Sequence, residues 1–147
     1  MLDHVLAATT SGAMKTQVRE YPFSAVPPDG GILRLEAAGG PGSDWQAYHA
    51  DRPVRILCHE IVGRICRIGP TAGRMNNLLA GRLTLRPCRG HSYESVELAL
   101  RFIVSSHFSL YLMATHRFGL ANVDVATRSV GGQGAPGSVQ VTVLPWN

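Results

Sequence analysis

The sequence predicts an α+β domain. Short β-branched runs with alternating apolar and polar residues fill the first half of the chain. Turn chemistry separates them, most clearly at Pro27-Pro28-Asp29-Gly30-Gly31. Two stretches with apolar residues at helical spacing occupy the second half, ahead of one last alternating run. At 147 residues a single domain is the default, and 45% hydrophobic against 16% charged residues is the balance of a folded globule.

In chain order, residues 1–13 are weakly patterned and are expected to be a loose leader to one domain at 14–147. Lys15 to Tyr21 and Ile32 to Ala38 alternate as strands do, and Gly39-Gly40-Pro41-Gly42 ends the second. Ser43 to Tyr48 reads as one helical turn, with Ser43 or Asp44 as its cap. Residues 56–68, apolar and β-branched with glycines at Gly63 and Gly69, are the expected central strand. Arg74 to Gly81 reads as a link, and Leu83 to Arg86 as a brief strand stopped by Pro87.

Ser92 is a good N-cap for a helix over 93–105, where Val96, Ala99, Leu100 and Ile103 share a face and Glu97 and Arg101 pair across a turn. Leu112 to Phe118 should be extended. A second helix over 121–130 puts Val123, Ala126 and Val130 on one face and pairs Asp124 with Arg128, and Gly131 is its stop. Ser138 to Leu144 is the last strand. It is expected to pair with the central strand, with both helices packed on one side.

Net charge is +4, with thirteen arginines and one lysine. They are scattered singly and form no basic block, so no nucleic-acid partner is expected. The odd set Cys58, Cys66 and Cys88 suggests no disulfide framework. The N-terminus lacks a basic start and a long apolar run, so it does not read as a signal peptide. No apolar run approaches the roughly 18 residues of a membrane span. No membrane association is expected, and the cytoplasm is the default compartment.

Three segments in order carry a family resemblance. Residues 27–39 are similar to the opening hairpin of the chaperonin-10-like (GroES-like) catalytic domain of the zinc-type alcohol dehydrogenases, in the medium-chain dehydrogenase/reductase family. Gly42-Ser43-Asp44 and His59-Glu60-Ile61-Val62-Gly63 resemble its two metal-site motifs. Residues 89–146, including Thr115-His116-Arg117-Phe118-Gly119-Leu120, look like the family's return into that domain. The likeness spans residues 14–74 and 78–146. It implies a truncated chaperonin-10-like β-barrel with two C-terminal helices. Between these parts the family carries a cofactor-binding domain. Here only nine residues lead from Arg74 to Leu83, so no complete Rossmann domain is expected. The chain divides into an N-terminal part at 14–74, a splice link at 75–82 and a C-terminal part at 83–147.

By resemblance, His59 is the surviving zinc ligand, Glu60 an occasional one, and Asp44 the carboxylate that orients the histidine. Ser43 matches the hydroxyl that relays the proton of the bound alcohol, and otherwise reads as a cap. Pro41 stands where the family has its first ligand, a cysteine. Zinc and NAD(P) are the implied cofactors and a small-molecule alcohol the implied substrate. By the same resemblance Trp45 and Tyr48 would line the substrate cleft, whereas as plain aromatic residues they read as core. Gly132-Gln133-Gly134-Ala135-Pro136-Gly137 spells a dinucleotide fingerprint, but its expected order is helix, glycines, strand, the reverse of what pyrophosphate binding needs. Two functions stay open. One is an alcohol dehydrogenase-like protein, catalytically incomplete without its cofactor domain. The other is a non-catalytic remnant or self-associating module, whose exposed edges a homo-oligomer would close.

Overall fold

The computed structural model describes residues 4–51, 53–72, 92–107 and 109–146. The strand expected at 83–86, the link at 75–82, Cys88 and His91 lie outside them. The described residues form an α+β fold with two separate sheets rather than one closed barrel.

The first sheet has the order β2-β1-β4, with β1 at His4–Thr10, β2 at Thr16–Pro22 and β4 at Arg55–Ile56. β1 corrects the expectation of a loose leader. It pairs antiparallel with β2 along its whole length, from His4↔Pro22 to Thr10↔Thr16. The run Leu6-Ala7-Ala8-Thr9-Thr10 hides its strand character because it does not alternate. Ala8, Thr9 and Thr10 are all buried. The Thr10 hydroxyl closes the hairpin by accepting from the Gly12 amide and donating to the Lys15 carbonyl.

The second sheet has the order β5-β3-β7-β6, with β3 at Gly31–Gly39, β5 at Glu60–Ile68, β6 at His116–Gly119 and β7 at Val141–Leu144. β3 and β5 pair antiparallel, while β6 and β7 run parallel. The expected pairing of the central and last strands does not occur. β3 lies between them and bonds to both. The expected strand at 56–68 is also split. Its first residue closes β4 in one sheet, and β5 starts at Glu60 in the other. Between them Leu57 is buried and Cys58 takes a left-handed φ of 64°.

Helix α1 spans Gly42–His49, two turns where one was expected. Its N-cap residue is Pro41, and neither Ser43 nor Asp44 caps it. Asp44 is instead turned inward and buried. Helix α2 spans Tyr93–Ser105, as its periodicity predicts. Ser92 accepts from the Ser95 amide and Glu97 bonds Arg101 at 2.8 Å. Helix α3 spans Val123–Val130 and follows a 3-10 turn at Leu120–Asn122. A second 3-10 turn, Leu110–Met113, precedes β6, so only the end of the segment expected to be extended is strand.

The core is small. Ala8, Leu57 and Val123 form one cluster and Ala126, Val141 and Val143 another, and Cys58 and Leu120 pack against both. α3 therefore covers the β6–β7 side as its apolar face predicts. α2 does not join it, because none of its residues is buried among the described residues. Packing, not periodicity, decides how deeply an amphipathic helix is buried, and among the described residues α3 buries four side chains and α2 none. Gly131 ends α3 without the left-handed twist common at helix ends. The Trp45 ring occupies the place where a Cβ would stand, 2.1 Å away.

Candidate functional site

Two of the residues singled out by their chemistry, Asp44 and His59, meet where α1 faces the break between β4 and β5. Asp44 sits in the first turn of α1, is 2% exposed, and accepts the Cys58 amide proton on Oδ2 at 2.6 Å. Its other oxygen, Oδ1, faces His59 Nδ1 at 3.7 Å. That distance suits an ion pair when the imidazole is protonated but is too long for a hydrogen bond. Oδ1 is buried with no hydrogen-bond partner among the described residues. Burial pushes the Asp44 carboxyl above its ordinary range, while the Cys58 amide and the neighbouring His59 and Arg55 pull it back.

The split strand gives this geometry its physical cause. The Leu57 amide still donates to the Ala8 carbonyl of β1 at 2.9 Å, and β5 starts only at Glu60, so the turn between the sheets falls at Cys58 and His59. The Cys58 amide then turns to the carboxylate, and the positive φ of Cys58 is the conformational cost. The Cys58 side chain packs into the core. Its thiol is pushed up to about 12, first by burial and then by the Asp44 and Glu60 carboxylates. A neutral thiol at physiological pH behaves as a small apolar side chain.

Ser43, His59 and Glu60 are exposed. The Glu60 carboxylate lies beside Gly39, across the β3–β5 ladder. Among the described residues no three His, Cys, Asp or Glu side chains gather as a metal-holding group. His59 and Glu60 are adjacent donors and Asp44 stands behind the histidine. Pro41 has no donor to add. A catalytic zinc uses three protein ligands and an open position, and the described donor set does not complete one.

Tyr48 takes the core place expected of a plain aromatic residue and not the cleft place that the resemblance implies. It is 1% exposed, and its hydroxyl donates to Asp124 Oδ1 at 3.1 Å. Thr16 donates to the same oxygen, and Arg128 pairs with Oδ2 at 3.0 Å. Asp124 thus ties α3 to β2 and α1, a role that its i,i+4 spacing with Arg128 reveals only in part. Trp45 stacks on Tyr48 and meets His49 edge-on, so both aromatics are packing residues. The glycine-rich loop at 132–137 runs from α3 to β7, as its order in the sequence implies. Ser129 anchors it, accepting the Ala135 amide on its hydroxyl and the Ser138 hydroxyl on its carbonyl.

No protein-family model matches the chain, and no curated protein matches it. Among the described residues, no helix is long and apolar enough to cross a membrane.

Proposed function

We propose that the chain is a non-catalytic relative of the zinc-type alcohol dehydrogenases, descended from their chaperonin-10-like catalytic domain with the cofactor domain removed. The two open sheets are then the remains of that barrel, and α2 and α3 its two C-terminal helices. The observation that carries the reading is the Asp44–His59 pair. A buried carboxylate stands behind an exposed histidine, the arrangement that orients a ligating imidazole, while the expected first ligand is Pro41. Asp44 keeps a use without metal, because it fixes the Cys58 backbone. Zinc held by His59 and Glu60 would have two donors where the chemistry uses three. Ser43 then has no bound alcohol to deprotonate and remains a surface residue of α1.

The pure chain is expected to give no NAD(P)H from alcohols with either nicotinamide cofactor, with or without added zinc. Its thermal midpoint is expected to stay where it is when zinc is added, since a ligand specific to the folded state must raise it. Turnover that disappears in His59→Ala, or a zinc-dependent rise in the midpoint, overturns this reading.

One observation favours self-association as a second function. Tyr93, Leu98, Leu100, Ile103 and Val104 of α2 are all exposed, an apolar surface that favours contact with another chain. Sedimentation equilibrium is expected to find a dimer or larger assembly, and a monomer in Leu100→Glu/Val104→Glu. A monomeric wild type removes the second reading and leaves the first untouched.

A further inference from the structure

The arginines that lie scattered in the sequence are gathered by strand pairing. One row across the second sheet, Ile61–Ala38–Val143–Phe118, faces the core. The next row, Glu60–Gly39–Thr142–Arg117, must therefore face outward, because successive residues of a strand alternate sides. Arg34 and Arg64 stand directly opposite each other across β3 and β5, both exposed, and Arg67 opposes Ile32 two positions along β3. Two bulges, between Ile32 and Leu33 and between Leu35 and Ala37, bring these residues to the same outer face.

That face is short of negative charge. It carries Arg34, Arg64, Arg67 and Arg117 against Glu36 and Glu60. Glu36 is committed to Arg64 at 2.6 Å. Like charges set opposite in a ladder are destabilising, and Arg34 has no carboxylate partner among the described residues. Aromatic rings support the guanidinium groups instead. Arg34 lies 4.6 Å from the centre of the Trp146 ring and Arg67 lies 4.7 Å from that of Phe23. Trp146 is 60% exposed and held in place by its indole N–H, which donates to the Leu35 carbonyl at 2.5 Å.

We infer that this open sheet face binds single-stranded nucleic acid. Planar guanidinium groups take phosphate in two-pronged hydrogen bonds, and they stack on bases as aromatic rings do. A positively charged surface with interleaved rings is the combination that tracks a single strand without reading its sequence. An acidic protein segment would satisfy the charge but has no use for Trp146 and Phe23. The inference is independent of the chain's ancestry and of zinc.

The test is fluorescence anisotropy with a labelled oligothymidylate of about 15 nucleotides, a length within the site sizes of sheet-based single-strand binders. Binding is expected near 50 mM salt, weakening with a log–log slope of about −2 to −3, roughly 0.7 for each of three or four phosphates engaged. Arg34→Gln/Arg67→Gln should bind at least tenfold more weakly, and Arg101→Gln on α2 should bind as wild type does. Trp146→Leu should weaken the oligonucleotide but not heparin, which has charge and no bases. Should the double variant fail to melt cooperatively, Arg117→Gln at the other end of the face makes the same test. Absence of binding at low salt overturns the inference. So does wild-type affinity in the arginine variants, or polyglutamate and heparin binding as tightly as the oligonucleotide with Trp146→Leu without effect.

Discussion

Gly63→Ala is expected to destabilise the chain by about 3 kcal/mol, the upper part of the usual range for forcing extra atoms into packed structure. A Cβ at Gly63 would stand 2.2 Å from the Arg34 carbonyl oxygen, 2.9 Å from its carbon and 3.0 Å from the Leu35 Cα. All three are backbone atoms of β3, so no rotamer change relieves the contact. The close approach belongs to the bulge, where Leu35 opposes Gly63 and the register then slips before Ala37. The β3–β5 ladder is the backbone of the larger sheet, and it sets the outer face with its arginines. Small domains have only about 5–15 kcal/mol of stability in all, so a loss of this size shows clearly in urea melts. Gly42→Ala is the control. It lies at the start of α1 with open space around its Cβ position, and should be neutral or stabilising by up to about 1 kcal/mol. If the two variants melt alike, the bulge is not built as described.

The sequence made the helices legible and the sheets only partly so. α2 and α3 follow from apolar spacing, the Ser92 cap and the Glu97–Arg101 and Asp124–Arg128 pairs, all of them local signals. β3 and β7 follow from alternation. β1 was hidden because small residues and threonines bury well without alternating. The order β5-β3-β7-β6 was hidden because partner choice is non-local, and nothing in residues 56–68 marks the point where the chain leaves one sheet for the other. Asp44 and His59 were picked out by resemblance, and the structure brings them together. The Tyr48–Asp124 and Thr16–Asp124 bonds, and the arginine face, join residues far apart in the chain and have no signature in spacing.

Asp44→Ala should cost about 2–3 kcal/mol, because it removes a buried acceptor and leaves the Cys58 amide without a partner. Asp44→Asn keeps an oxygen for that amide and should cost less, about 1 kcal/mol. The two variants also differ from wild type in pH dependence, and the sign follows from burial. The folded Asp44 carboxyl titrates above its ordinary value of 3.8, so in that window the folded chain holds a proton that the unfolded chain has released. Stability from this group is fully present below the unfolded value and is lost as pH rises through the folded one. The margin of wild type over Asp44→Asn should therefore narrow as pH climbs through the window. A margin that widens instead would mean that the Cys58 amide, His59 and Arg55 outweigh burial, and that Asp44 is held as an anion. In either state the carboxyl accepts from the Cys58 amide and so ties α1 to the break before β5. On the ancestry proposed above, that tie is the use this carboxylate retains beside a proline in the first ligand position.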